Sequence, residues 1–331
     1  MTGDDHGLTQ STQRGWRPGP LEFLAVGLVV LLLAQSWLIT IFDGPAVQTG
    51  ATIFVAIIVQ AMPFLVLGVL LSAGIAAFVP PSVWQKALPK NQVLAVPVAG
   101  AAGFVLPGCE CASVPVAGSL MARGVAPAAA LAFLLSAPAI NPIVLVSTFV
   151  AFPGNPQMMV ARLLASLATS IIMGWLWLRF GKAEWIRIPR RDHLIGDSNW
   201  HTFRLTAAHD FLHAGGFLVI GGLTAAIINV VIPQEWLATV AANPLLAIVG
   251  LALLAVILSI CSEADAFVAA SLTQFSLTAR LAFLVVGPMI DLKLISMQSG
   301  IFGRKFAVRF APTTFVVAVL LSILVGWWLL T

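Results

Sequence analysis

The chain has 331 residues, of which 60% are hydrophobic and only 9% charged, with a mean hydropathy of +1.00. Water-soluble globular domains carry about 25% charged residues, so that class is excluded. The formal charge of +4 does not call for a nucleic-acid partner, because the basic residues flank apolar runs, where membrane orientation accounts for them.

A span needs roughly 20 mostly apolar residues to cross about 30 Å of hydrocarbon. Residues 1–20 read as a polar N-terminal tail, held in the cytoplasm by Arg14 and Arg17. The run Leu21 to Phe42 exceeds the roughly 7–15 residues of a signal-peptide core and has no good cleavage site after it, so residues 21–42 are expected to form an uncleaved extra span. Further spans are expected at Gly50 to Val79, Ala126 to Phe152, Met158 to Phe180, Ala207 to Ile232, Ala279 to Phe302 and Phe306 to Leu330. Val93 to Gly124 and Pro244 to Ser276 are also apolar, but Gly, Pro, Cys and acidic residues interrupt them. Each reads as a broken span or a re-entrant helical hairpin. Ten Trp and no Tyr leave Trp as the interfacial anchor, at Trp16, Trp37, Trp175, Trp177, Trp185, Trp327 and Trp328.

The chain repeats itself once. Cys109, Ala112, Ser119 and Leu120 recur 152 positions later as Cys261, Ala264, Ser271 and Leu272. Phe64, Gly68 and Trp84 correspond to Phe217, Gly221 and Trp236, and the stretch Ala137 to Asn141 to Gly287 through Asp291. Residues 50–180 and 207–330 are then two permease-like repeats, joined by a basic loop at 181–206.

Charge tests the topology. Arg179, Lys182, Arg187, Arg190, Arg191 and Arg204 place the central loop in the cytoplasm. If both interrupted stretches are re-entrant, 14 of the 17 basic residues fall on that side. If both cross completely, the clusters at Arg187 and Arg304 face opposite sides. The expected fold is therefore an all-α polytopic helical bundle with two inverted-topology repeats, each carrying a broken or re-entrant hairpin. Its lodging is a lipid bilayer, a bacterial inner (plasma) membrane, with a cytoplasmic N-terminus.

All three cysteines lie in the interrupted stretches, at Cys109 and Cys111 in the first and Cys261 in the second. Glu110, Ser113, Glu263 and Asp265 accompany them, and Asp291 answers Asn141 of the other half. An intramembrane carboxylate is costly and marks a pathway or a paired charge. Lys293 lies two residues from Asp291, on a different face of a helix, so Asp291 is not its obvious partner, and a salt bridge to Glu263 or Asp265 is open to it. Thiolates are soft ligands and carboxylates hard ones, so Cys109, Cys111, Cys261, Glu263 and Asp265 together suit zinc, a related transition metal or a thiol-seeking metalloid. Buried cysteines also serve simply as small apolar residues. Pro138 and Pro142 flank Ala139 to Asn141 inside an expected span, where they free backbone carbonyls; Pro138 and Asn141 join the candidate solute contacts. His209 and His213 stand one turn apart at the start of another span, a spacing that can also bind metal.

The Pro-x-Cys-x-Cys-x-x-x-Pro segment at 107–115, the Ala-Pro-Ala-Ile-Asn-Pro stretch at 137–142 and the duplicated layout resemble the predicted permease family of the YraQ type, which includes the ArsP-type organoarsenical efflux permeases. The similarity covers nearly everything after residue 50. It implies a permease fold, a plasma-membrane location and export of a metal or metalloid, with Cys109 and Cys111 as thiol contacts. No phosphate-binding loop is present, so no ATPase is built in. No cofactor is expected, and a partner protein is left open; protons are the candidate coupling ion, taken up by Glu263, Asp265 or Asp291. The rival class is a membrane-embedded thiol redox protein cycling Cys109 and Cys111 between dithiol and disulfide.

Overall fold

The computed structural model describes residues 44–80, 83, 88–105, 110–187, 198–231 and 243–330. The expected tail and extra span at 1–42, Cys109, Trp84 and Trp236 lie outside the described residues. The chain divides into two units, residues 1–49 and 50–331; of the first only 44–49, which carry the opening turn of a helix, are described.

Every α or 3-10 element among the described residues follows from apolar runs cut by caps and prolines. In chain order the α-helices are α1 (Pro45–Phe78), α2 (Gln92–Ala102), α3 (Glu110–Ala122), α4 (Pro127–Ile140), α5 (Pro142–Ala151) and α6 (Gln157–Phe180). Then come α7 (Asn199–Val231), α8 (Pro244–Leu258), α9 (Asp265–Ser271), α10 (Leu277–Met289), α11 (Leu292–Phe302) and α12 (Arg304–Leu329). A long helix opens each set of six, at 34 residues in α1 and 33 in α7, and another closes it, at 24 in α6 and 26 in α12. Even the caps recur. Asn91 accepts from the Val93 N–H at the start of α2, and Asn243 accepts from the Leu245 N–H at the start of α8.

Among the described residues, six units are long and apolar enough to cross a membrane: α1, α4 with α5, α6, α7, α10 with α11, and α12. They match six of the seven spans read from sequence; the seventh, at 21–42, is not described. Large apolar side chains such as Val59, Ile220, Val316, Leu320 and Leu324 face outward, as lipid contact demands.

Two spans are discontinuous. Pro142 follows Asn141, whose extended backbone (φ −64°, ψ 154°) ends α4, and whose side-chain oxygen accepts from the Val144 N–H at 3.0 Å to start α5. The counterpart lies between α10 and α11, where Ile290 and Asp291 are extended and Asp291 Oδ1 accepts from the Leu294 N–H at 2.6 Å. A complete break forms here, because a capping side chain offers the new helix's amides a partner that the preceding helix no longer supplies.

The interrupted stretches turn back on themselves. Val96 of α2 and Ala128 of α4 both lie against Gly174, while Gly103, just past α2, lies against Ser136 near the end of α4. Thus α2 runs alongside α4 in the same direction, and α3 returns the chain to the start of α4 through residues 123–126. The second stretch repeats this: Ala255 near the end of α8 faces Gly287 near the end of α10, and α9 leads back to Leu277.

Two pairs of long helices, α1 with α7 and α6 with α12, pack antiparallel. Along α1 and α7, Gly50 meets Val230, Ile57 meets Gly222, Leu65 meets Gly215, and Ser72 bonds Asp210. Trp177, near the end of α6, stacks edge-on against Phe306 and Phe310 at the start of α12. Trp177, half-buried near that helix end, thus joins an aromatic cluster with Trp185, Phe306 and Phe310. The Arg187 N–H donates to the Phe302 carbonyl at 2.8 Å, so the basic clusters at Arg187 and Arg304 share one end of the bundle. The halves are not packed identically: Gly68 brings α1 onto Ala112 of α3, whereas Gly221 brings α7 onto Lys293 of α11.

Candidate solute site

The turns of the two hairpins and the breaks of the two discontinuous spans bring together most of the charge that lies away from the bundle's ends. Glu110 begins α3, Ser259 and Cys261 to Asp265 form the turn after α8, Asp291 caps α11, and Arg162 projects from α6.

Two buried ion networks result, each joining one half to the other. In the first, Arg162 grips Asp265 with both terminal nitrogens, Nη1 to Oδ1 at 2.9 Å and Nη2 to Oδ2 at 2.8 Å. Its Nη1 also donates to Thr148 Oγ1 at 2.8 Å, and Nη2 reaches the Ser262 carbonyl at 3.4 Å. Planar, two-point pairing is what a guanidinium does best with a carboxylate. In the second, Lys293 Nζ lies 2.6 Å from Glu110 Oε1 and 3.5 Å from Asp291 Oδ2, and donates to the Ser259 carbonyl at 2.9 Å. That carbonyl is available because Ser259 closes α8 in the left-handed region (φ 50°). Its hydroxyl also accepts from the Leu292 N–H at 3.2 Å, fastening the second hairpin to the second break.

The partners of Lys293 differ from those expected. It pairs with Glu110 and Asp291, and Asp265 belongs to Arg162. The helix-face argument against Asp291 fails because Asp291 is the cap, outside the helical spiral, and its carboxylate folds over the first turn of α11 where Lys293 sits.

Glu263 is the carboxylate left over. Both its oxygens are enclosed, and among the described residues it makes no ion pair, although Glu110, Lys293 and Asp265 are within electrostatic reach and the Cys261 thiol is beside it. Cys111 and Cys261 are both buried, beside the groups that meet Lys293. Cys109 lies outside the described residues. Ser113 is buried and donates to the Glu110 carbonyl at 3.0 Å, steadying the first turn of α3. Pro138 is buried in the last turn of α4, and Asn141 Nδ2 donates back to the Ala137 carbonyl at 3.3 Å. Among the described residues no three His, Cys, Asp or Glu side chains stand close enough to hold a metal ion together. Four carboxylates against two cations give the region a formal charge of −2 with all six groups ionised.

His209 and His213 stack at 5.8 Å on α7, apart from these networks. Asp210 between them accepts from Ser72 Oγ at 2.8 Å, and Ser119 Oγ donates to the Ser72 carbonyl at 2.9 Å, so this cluster ties α7, α1 and α3 together.

The sequence reading did not single out Arg162, Thr148 or Ser259. For Arg162 a signal existed. Orientation explains 14 of the 17 basic residues; the other three are Arg162, Arg280 and Lys293, and two of these are the site's cations.

Discontinuous spans, paired hairpins and buried charge at their meeting point define a polytopic helical membrane protein of the permease class. Residues 46–327 match the family described as "Predicted permease" (ArsP_1), and the chain belongs to that family. It is 34% identical over 291 residues to a Streptococcus mutans protein named "Putative two-component membrane permease complex subunit", covering 83% of this chain and 94% of that one. It is also 34% identical over 278 residues to the UPF0718 protein YcgR of Bacillus subtilis, covering 82% and 94%. No solved structure matches the chain.

Proposed function

We propose that this permease moves a thiophilic metal ion or metalloid across the bacterial plasma membrane, in the export direction, with Cys109, Cys111 and Cys261 as its soft contacts. One observation carries the reading: Cys111 and Cys261, 150 positions apart, are both buried, and the chain beside each, Glu110 next to Cys111 and Ser259 two residues before Cys261, meets the same Lys293 ammonium at 2.6 and 2.9 Å. Thiols gathered beside surplus negative charge favour a soft, positively charged or polarisable solute. Glu263 is the carboxylate best suited to exchange a proton for it, since Asp265 is clamped by Arg162 and Asp291 is engaged by a backbone amide and Lys293. Pro138 and Asn141 border the pathway with freed backbone.

An inverted-repeat architecture is part of this reading. The antiparallel packing of α1 on α7 and of α6 on α12 supports it. The unequal packing at Gly68 and Gly221 suits a carrier held in one of two alternating states. The shared end of the Arg187 and Arg304 clusters supports a cytoplasmic central loop, and with the extra span a cytoplasmic N-terminus. The name of the Streptococcus relative supports a second protein subunit.

Flux of zinc, cobalt, arsenite and methylarsenite in proteoliposomes tests the proposal. One of these should move in the wild type and stop in the Cys109→Ser plus Cys111→Ser variant. Undiminished flux in that variant, or a stable thiol redox potential with no flux at all, would overturn it. Glu263→Gln should abolish the dependence of flux on a proton gradient.

A further inference from the structure

We infer that Glu110, Asp291 and the Ser259 carbonyl form a second, oxygen-only site for a small monovalent cation, in which the Lys293 ammonium is the tethered occupant and from which the cation displaces it. The inference rests on the preceding reading only in placing the pathway at the hairpin turns and span breaks; its donors are different.

Three oxygens converge on one point. Glu110 Oε1, the Ser259 carbonyl and Asp291 Oδ2 lie 2.6, 2.9 and 3.5 Å from Lys293 Nζ, and all four residues are buried. These are hard donors: two carboxylates from opposite halves and a carbonyl freed at the end of a broken helix. That is the chemistry by which discontinuous transporter helices hold sodium-sized ions. The donors are not used up by the ammonium. Glu110 Oε2 is buried without a hydrogen-bond partner, so the carboxylate turned toward Lys293 has an oxygen to spare for a coordinating ion.

The ammonium also has somewhere to go. The Lys293 backbone is fixed, because Gly221 of α7 lies so close that a Cβ there would come within 2.5 Å of Lys293 Cα. Only the flexible side chain can move. Glu263 lies within electrostatic reach, its oxygens enclosed and without an ion pair. Lys293 swinging from Glu110 and Asp291 to Glu263 leaves two buried carboxylates that an incoming cation bridges, replacing the ammonium charge for charge. The exchange gives Glu263 a partner while Glu110 and Asp291 keep a cation between them, which lowers the cost of buried charge. Because Glu110 belongs to the first half and Asp291 with Ser259 to the second, exchanging ammonium for a mobile ion changes what joins the halves.

The test uses the purified full-length protein and sodium as the probe, with choline chloride holding ionic strength constant. Radioactive sodium binding and the sodium-dependent rise in Tm are read together. Wild type should bind sodium saturably but weakly, because the ammonium competes. Lys293→Gln should lower the half-saturating concentration by at least about tenfold. Glu110→Gln and Asp291→Asn should abolish binding; the asparagine keeps the α11 cap, so loss there reports the charge. Unchanged or weaker sodium binding in Lys293→Gln overturns the inference. If that variant does not fold, the comparison of wild type with Glu110→Gln decides, and the absence of saturable binding in wild type, or equal binding in both, overturns it. The thiol double variant separates the two proposals: sodium binding without any thiol-dependent flux leaves this inference standing alone, and thiol-dependent flux without sodium binding leaves only the other.

Discussion

Replacing Arg162 by Gln strands Asp265 in the interior. The guanidinium makes two charge-assisted bonds to that carboxylate, at 2.9 and 2.8 Å, and a third to Thr148 at 2.8 Å. Such bonds contribute about 1.5–3 kcal/mol each, but removing one member of a buried pair costs about 3–5 kcal/mol in total, and the stranded charge dominates that figure. The expected loss is therefore about 3–5 kcal/mol of unfolding free energy, read from tryptophan fluorescence during unfolding by SDS in mixed micelles. The double variant Arg162→Gln plus Asp265→Asn leaves no buried charge and should recover much of the loss. A single-variant cost under about 1 kcal/mol, or a double-mutant cycle that adds without coupling, would refute the claim that the pair fastens the halves.

Caps, close approaches and topology supply three further predictions. Asn141→Ala should cost about 1 kcal/mol by losing the α5 cap, and Asp291→Ala more than that because it also removes a partner of Lys293; the same unfolding assay measures both. Gly68→Ala places a methyl group against the backbone of Ala112, which cannot yield as a flexible side chain does, and should lower stability by about 1–3 kcal/mol, whereas Gly74→Ala, with open space around it, should not. Single cysteines placed at Arg187 and Arg304 should both react with a membrane-impermeant thiol reagent from the cytoplasmic side only; labelling from opposite sides would break the re-entrant topology.

The spans were legible because length and apolarity are local properties: a run of roughly 20 such residues has no lower-energy place than the bilayer. The places where the chain turns back showed as Gly, Pro and acidic interruptions of apolar runs. The span breaks were half visible. Pro138 and Pro142 marked the first, but a proline in a span ends the helix only where a capping side chain replaces the lost bonds. Asn141 and Asp291 do this, and neither is distinctive until its rotamer is known.

What the sequence by itself determined is the solvent: a chain with this hydropathy must be helical in lipid, must pair its buried carboxylates, and must gather its excess positive charge in loops. It did not determine the pairing. Asp265 finds Arg162 at a separation of 103 residues, and Glu110 finds Lys293 from the other half of the chain. Partners so far apart are selected by how helices cross and where hairpins end. In a medium that solvates no charge, that geometry alone decided which carboxylate is clamped, which is shared with Lys293, and why Glu263 is left over.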